Sequence, residues 1–227
     1  MTGNGRGRVI DGVILDVDGT LVDSNRLHAQ AWFDAFREAG LDGGTATDVQ
    51  RLIGMGSDRL IEQTVGLDPS SEEARALARR RSEIFQSLYL PTVRPVPGAR
   101  DLVEALRDRG FRLTVATSAR PDELDQLLAA AELGWLSEAA TSGDEVDESK
   151  PEPDVVEAAL DDLQLEPARV AMIGDTPYDV ESGTRAGVTV IALRSGGWDD
   201  TGLRGAAAVY RDPIELLEEL DSSPLGR

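Results

Sequence analysis

The sequence predicts an α/β fold: a Rossmann-like parallel sheet core with an all-helical cap inserted after its first strand. Three observations predict it. A buried-strand pattern over Arg8–Leu15 runs directly into the polar segment Asp16-Val17-Asp18-Gly19-Thr20. Residues 23–94 then show helical periodicity with no convincing strand. From Gly98 onward strand and helix patterns alternate, which is the signature of parallel strands joined by crossover helices.

The elements follow in order. Leu27, Ala31, Ala35 and Phe36 recur at helical spacing from Asn25 to Ala39, and Gly40 stops that helix. Further helices are expected at Thr47–Ile53, Asp58–Val65 and Ser71–Leu90. Ser71 is the N-cap of the last, and its arginine-rich middle, which includes Arg79, Arg80 and Arg81, reads as a solvated face; the alternative is a phosphate-binding arginine from the cap, for which Arg51 or Arg59 is better placed. Trp32 reads as part of the cap core. Pro91, Pro95 and Pro97 then break the chain. After them come a helix at Gly98–Arg109, a strand at Phe111–Ala116, a helix at Pro121–Glu132 and a weak strand at Glu138–Thr141. A helix at Pro153–Leu163, a strand at Arg169–Ile173 and a helix at Tyr178–Ala186 continue the alternation. Strands at Val188–Leu193 and Ala206–Tyr210 and a helix at Pro213–Leu220 complete it. The expected division is a core of residues 1–22 and 95–227 and a cap of residues 23–94, hinged near Thr20–Asp23 and Thr92–Val96. An insertion after the first strand stands at that strand's carboxyl end, where open α/β sheets bind ligands, so the helical block can act as a lid.

Composition narrows the chemistry. Lys+Arg number 23 and Asp+Glu 42, for a net charge of −19. Such a surface repels nucleic acid and anionic membrane, and neither is expected as a partner. It also repels a phosphorylated ligand at long range, so a phosphate site must be locally positive or supplied with a cation. The absence of cysteine excludes disulfides, thiol catalysis and Cys-based zinc sites. The apolar run Val9–Leu15 contains Asp11 and is too short to span a bilayer, and Met1–Arg8 carries no signal-peptide pattern. A cytoplasmic location is the expectation. Lys150 is the single lysine and His28 the single histidine.

Four segments fall at the carboxyl ends of predicted strands: Asp16 to Leu21, Ala116-Thr117-Ser118, Ser149-Lys150-Pro151, and Gly174-Asp175-Thr176-Pro177-Tyr178-Asp179. In a parallel sheet these ends converge. Clustered carboxylates either take up protons or hold a cation between them. Oxygen ligands without cysteine or a nearby histidine favour Mg²⁺. Lys150 would place a point charge on a phosphate, and Thr117 a hydrogen bond. Backbone N–H groups at Val17 to Gly19 would complete an anion cradle, with Gly19 permitting the tight turn. Asp16 is then the nucleophile that forms an aspartyl-phosphate. Asp18 is the acid that protonates the leaving oxygen and the base that activates water. Ser118 and His28 are the further substrate-side residues, His28 standing at the mouth of the site near Asp18.

These residues resemble a known family. Asp16-Val17-Asp18-Gly19-Thr20, Thr117, Lys150 and Gly174-Asp175-Thr176-Pro177-Tyr178-Asp179 look like the four motifs of the haloacid dehalogenase superfamily, and the helical insertion looks like its C1-type cap. The resemblance covers nearly the whole chain. In pattern it is closest to the β-phosphoglucomutase-like and phosphoglycolate-phosphatase-like members; Asp23-Ser24-Asn25, His28 and Ala31-Trp32 look like the start of their cap. It implies a metal held by the Asp16 carboxylate, the Asp18 backbone carbonyl and Asp175. It implies Thr117 and Lys150 on the phosphoryl group, and Asp179 in support of the metal or of Lys150. The implied activity is Mg²⁺-dependent hydrolysis of a small phosphorylated metabolite by a monomer. Asp18 argues against dehalogenation, and a cap without lysine argues against Schiff-base chemistry. A sugar-phosphate mutase is the alternative, because His28 is in place for one. The mutase subgroup also grips its second phosphate with basic cap residues, one of them a lysine that is absent here, and Ser57 stands where a cap arginine is expected. A catalytically idle binding module on the same fold is the further alternative, against which the presence of both Asp16 and Asp18 speaks.

Overall fold

A computed structural model describes residues 10–141, 150 and 152–226. Six parallel strands form the sheet: β1 (Gly12–Leu15), β2 (Arg112–Ala116), β3 (Ala140–Thr141), β4 (Val170–Gly174), β5 (Thr189–Leu193) and β6 (Ala208–Tyr210). Their order is β3-β2-β1-β4-β5-β6, so the direction of winding reverses between β1 and β4. Such a reversal opens a crevice at the carboxyl ends of those strands.

β1 lies in the middle and is buried throughout. Its residues alternate between two layers, as strand geometry requires. Val13 and Leu15 share an apolar cluster with Leu102 and Leu106 of α5 (Ala99–Asp108), a layer that also holds Leu216 of α9 (Pro213–Glu218). Ile14 joins the opposite cluster with Val156 and Ala159 of α7 (Asp154–Leu163) and Val180 of α8 (Pro177–Arg185). In register, Leu15 is level with Val115 of β2 and Ile173 of β4. One step further along, Asp16 therefore emerges beside Ala116 and Gly174, just ahead of Thr117 and Asp175.

Between β1 and α5 the chain makes only helices: α1 (Asn25–Glu38), α2 (Ala46–Gln50), α3 (Ser57–Val65) and α4 (Glu72–Ile84). Thr45 and Asp48 cap each other at the start of α2, and the Ser71 hydroxyl accepts from the Ala74 N–H at the start of α4. Trp32 and Phe36 stack at 5.6 Å in the core of this block and are almost fully buried. The chain leaves and returns by two segments that lie side by side. The Asp23 N–H donates to the Arg94 carbonyl at 2.8 Å, the Val96 N–H to the Leu21 carbonyl at 2.9 Å, and Val22 bridges Pro95.

The helix expected over Ser71–Leu90 is not uniform. It is α-helical to Ile84, then makes a π-helical turn at Phe85–Tyr89 and a 3₁₀ turn at Leu90–Thr92. The Ser87 hydroxyl bonds the Glu83 and Ile84 carbonyls there, and Pro91 supplies no N–H to continue the ladder. The wide turn is where Phe85 lies flat on the His28 ring, 3.9 Å between centroids. The weak strand expected at Glu138–Thr141 is a 3₁₀ turn, Gly134–Ala139, followed by the two-residue β3. Arg8 and Val9 of the first expected strand, and Ser149 and Pro151 beside Lys150, lie outside the described residues. Among the described residues no helix is long and apolar enough to cross a membrane.

α6 (Pro121–Ala130) follows β2 and faces the helical block across the crevice. Gln86 and Asp122 hydrogen-bond between the two at 3.3 Å.

Candidate active site

Asp16 is the first residue after β1, and its N–H is held by the Ile173 carbonyl at 2.9 Å. Lys150 is buried beside it. The Lys150 ammonium donates to Asp16 Oδ1 at 2.6 Å, to Asp179 Oδ1 at 2.7 Å and to the Ala116 carbonyl at 3.2 Å, so all three of its protons are used. Burial works against the Lys150 charge, but the Asp16 and Asp179 carboxylates outweigh it and hold the ammonium above its ordinary pKa. Asp16 is pushed from 3.8 up to about 7, by burial first and by the Asp179 charge next, with Lys150 opposing both.

Asp179 sits in the first turn of α8. Its second oxygen accepts from the Thr176 N–H at 3.0 Å, the Thr176 hydroxyl at 2.6 Å and the Asp175 N–H at 3.2 Å. Both carboxylate oxygens are thus engaged. Asp16, Asp175 and Asp179 present oxygens within 4.8 Å of one another, a group able to surround a cation. Because Asp179 is saturated by Lys150 and the α8 cap, Asp16 and Asp175 are the better placed ligands, with Asp179 fixing Lys150.

Asp175 is fully buried. It accepts from Asn25 Nδ2 at 2.8 Å and the Thr20 hydroxyl at 3.2 Å. Burial, together with the Asp16 and Asp179 charges, raises its pKa well above 3.8. Two glycines make room for it: a Cβ at Gly19 or at Gly196 would collide with the Asp175 carboxylate. Gly19 also has φ +83°, a conformation that side chains other than glycine strain to adopt.

Asp18 belongs to a different network. Its Oδ1 accepts from the Ser24 hydroxyl at 2.5 Å and faces His28 Nε2 at 2.7 Å. His28 Nδ1 meets an Arg81 N–H. Arginine only donates, so Nδ1 is the acceptor of this pair and Nε2 is the nitrogen that faces Asp18. Burial pulls the Asp18 carboxyl up, but His28, Ser24 and the Arg81 charge outweigh it and hold the group at about 2. Arg81 in turn pairs with Glu123 of α6 at 3.4 Å and lies over the rings of Trp32 and Phe85.

The expected site residues are distributed as follows. Asp16, Asp175, Asp179, Lys150 and Gly19 come together at the ends of β1 and β4. Thr117 is buried one step past β2, where its hydroxyl accepts from the Ala119 N–H at 3.1 Å and keeps its proton for another acceptor. Ser118 is exposed and lines a cavity of about 170 Å³ between the cap and α6. His28 is buried against Asp18 rather than open to that cavity. The reading of the arginine run as a solvated face is corrected: the Arg79 and Arg80 side chains are 56% and 48% exposed, but that of Arg81 is only 15% exposed and turns inward. A helix that packs one face on a core must turn one residue of three consecutive ones inward, which the run of identical residues concealed. Thr20, Ser24 and Asn25, which the sequence reading quoted within the first motif and the start of the cap without giving them a role, bond Asp175 or Asp18, while Glu123 and Gly196 were not singled out. Ser24 and Asn25 had a signal, since they follow the first motif directly and open α1. Glu123 and Gly196 had none.

The sequence pattern described as haloacid dehalogenase-like hydrolase matches residues 13–193. A phosphoglycolate phosphatase of Aquifex aeolicus is 33% identical over 186 residues, covering 80% of this chain and 84% of that protein. Protein CbbY of Rhodobacter capsulatus is 30% identical over 192 residues, covering 81% and 85%. The crystal structure of a hydrolase from Pseudomonas syringae superposes with a TM-score of 0.84 at 29% identity, covering 93% of this chain and 98% of that one.

The opposed carboxyl groups make stability depend on pH in a defined way. Asp16 binds its proton more tightly in the folded chain, so its stabilising contribution is complete below about 3.8 and is lost as pH rises through about 7. Asp18 is the reverse: its contribution is present above 3.8 and is lost as pH falls through about 2. A divalent cation needs the ionised carboxylates and relieves their repulsion. With Mg²⁺ as the probe, the rise in Tm on saturation should be larger at about pH 8 than at about pH 5.5. An equal or larger rise at the lower pH contradicts the assignment.

Proposed function

The chain belongs to the haloacid dehalogenase-like hydrolase family, with a C1-type cap, in the branch of the phosphoglycolate phosphatases and CbbY-like proteins, and from that premise we propose that it is a Mg²⁺-dependent phosphatase acting on a small phosphate monoester through an aspartyl-phosphate on Asp16. The observation that carries this reading is the pairing of two carboxylates with opposite surroundings. Asp16 is in a charge-crowded site with one oxygen on Lys150, and Asp18, two residues on, is tied instead to His28 and Ser24.

The donor set fits a hard cation. Asp16 and Asp175 are buried and raised in pKa, and the family resemblance adds the Asp18 backbone carbonyl to them. These three groups would hold Mg²⁺, which supplies positive charge against the phosphoryl oxygens. The chain's own residues do the rest. Lys150 fixes one oxygen of Asp16, leaving the other to attack phosphorus. The Thr117 hydroxyl and the N–H groups of the Val17–Gly19 turn hold phosphoryl oxygens. As the ester bond breaks, Asp18 gives its proton to the leaving oxygen. It is ionised in the resting state, so it takes that proton up as the phosphate dianion arrives and raises its proton affinity. Asp18 then removes a proton from the water that attacks the aspartyl-phosphate, releasing phosphate and restoring Asp16. Residues 23–94 act as the lid, turning on the paired segments at Asp23 and Arg94. In the closed arrangement the cap touches the catalytic side directly: the Gly56 N–H donates to the Lys150 carbonyl at 3.3 Å, and Arg59 pairs with Glu152 at 2.8 Å.

Asp16→Asn should cost at least about a thousandfold in rate, about 4 kcal/mol of barrier, in p-nitrophenyl phosphate hydrolysis. The change is nearly isosteric, so circular dichroism should show an unaltered fold. Turnover at the wild-type rate in a preparation free of deamidated protein contradicts the role of Asp16.

The contact of His28 with Asp18 favours a second reading, a sugar-phosphate mutase. A mutase must hold a second phosphate in the cap while excluding water, and a buried dianion without partners is costly. Ser57, not a basic residue, lines the cavity here, and the inward-facing Arg81 is already paired with Glu123. Water should therefore win. β-Glucose 1-phosphate with a trace of glucose 1,6-bisphosphate should give free phosphate or no reaction. Sustained NADPH formation in a coupled glucose-6-phosphate dehydrogenase assay, with little phosphate released, would replace phosphatase by mutase.

A further inference from the structure

The cavity between cap and core is bordered by Trp32, Ser57, Arg81, Ser82, Ser118 and Glu123. It adjoins the catalytic groups at two points. Ser118 follows Thr117 in the chain, and Arg81 touches the histidine that holds Asp18. In the phosphatase reading this cavity is the space on offer to the leaving group of an ester on Asp16. At about 170 Å³ it has room for about five or six waters, or for a fragment of a few carbons with its hydroxyls.

Glu123 is the unusual wall of this cavity. It is 2% exposed, yet its hydrogen-bond contacts among the described residues are Arg81 Nη1 at 3.4 Å and the Ser82 hydroxyl at 3.5 Å. Both are at the outer limit of a hydrogen bond, and a carboxylate has about four acceptor positions. A buried carboxylate so thinly supplied is short of donors. Its charge also cancels the cation beside it: Arg81 spends one terminal nitrogen on Glu123 and the other on His28, and rests on Trp32 and Phe85 at 5.5 and 5.3 Å. The remaining arginines of the cavity, Arg79 and Arg120, stand at its rim, more than half exposed and near Glu72 and Asp122. A second anionic group on the substrate would meet the Glu123 carboxylate out of water, and like charges there repel strongly.

We infer that Glu123 is a specificity-determining residue: it selects monophosphates of polyols or sugars, whose neutral hydroxyls donate to it, and rejects esters whose leaving group carries a carboxylate or a second phosphate. The inference rests on the phosphatase reading above. It divides the substrate classes that the relatives' names leave side by side, and it places this chain apart from enzymes of acidic esters such as phosphoglycolate.

A matched pair tests it. Glycerol 3-phosphate and 3-phosphoglycerate share one carbon skeleton, with a hydroxymethyl group in the first where the second has a carboxylate. Wild type should favour glycerol 3-phosphate by at least about tenfold in kcat/KM. Glu123→Gln removes the charge and keeps the shape, and should lower that ratio by at least about tenfold, mostly through KM. Glu123→Asp keeps the charge and should keep the ratio above one, which holds the test open if the glutamine variant fails a thermal melt. A residue that merely braces Arg81 would change both esters by the same factor. A wild-type ratio at or below one, or a ratio that Glu123→Gln leaves unmoved in a folded protein, overturns the inference. If wild type hydrolyses neither ester nor p-nitrophenyl phosphate, the phosphatase reading is what has failed. Glu123 is then judged from the affinities of the two esters for the Asp16→Asn protein, where the same preference and the same fall are expected and their absence overturns it.

Discussion

The Lys150 ammonium, buried between Asp16 and Asp179, is the contact on which the rest of the site depends. It settles which oxygen of Asp16 is occupied and which is left for chemistry. It ties the chain at Lys150 to the start of α8, because Asp179 also caps that helix through Thr176. Three buried carboxylates, Asp16, Asp175 and Asp179, lie together, and the one ammonium bonds two of them, Asp16 and Asp179. The pocket is therefore left with surplus negative charge, and the raised pKa values of Asp16 and Asp175 are the free protein's response. A cation answers the same surplus without protonating Asp16. A site built this way can receive a phosphate on a protein whose net charge is −19, since the attraction is local while the long-range field is repulsive.

Asp18 shows the other half of the design. It is two residues from Asp16 but belongs to the cap-side network of Ser24, His28 and Arg81. The residues that set its proton affinity are carried by α1 and α4, which belong to the helical block and not to the sheet. If the helical block moves as the proposed lid, opening it would withdraw His28 and Arg81 from Asp18 and so couple lid position to the state of that carboxylate. The π-helical turn at Phe85 contributes by stacking a flat apolar ring on His28, which keeps the imidazole in line with the carboxylate.

The sheet core, the crossover helices and the helical insertion were legible in the sequence because each rests on a periodic signal: two-sided burial in the strands, a 3.6-residue repeat in the helices. The residues at strand ends, from Asp16 to Asp179, were legible because a parallel sheet gathers its carboxyl ends whatever the details of packing. Legibility stopped where function depends on the rotation of one helix or on contacts between distant elements. Three successive arginines at 79–81 are chemically identical, and only the packing of α4 against α1 decides that the third points inward. Glu123 is one acidic residue among many in the sequence, and nothing local marks it as buried beneath the cap. Gly196 lies far along the chain from Asp175, so the close approach that demands a glycine there is a property of the folded loop alone. The change from α- to π-helix at Phe85 likewise depends on what the ring must cover.

The most direct measurement is chemical trapping of the intermediate. An acyl phosphate on a carboxylate is reduced by borohydride to an alcohol, whereas a free carboxylate is not. The protein is quenched into borohydride during turnover of p-nitrophenyl phosphate with Mg²⁺ and then digested for mass spectrometry. The account predicts homoserine in place of aspartate at position 16, dependent on substrate, with Asp18, Asp175 and Asp179 unchanged. Phosphate release with no reduction at Asp16, or with reduction at another of these aspartates, would contradict it.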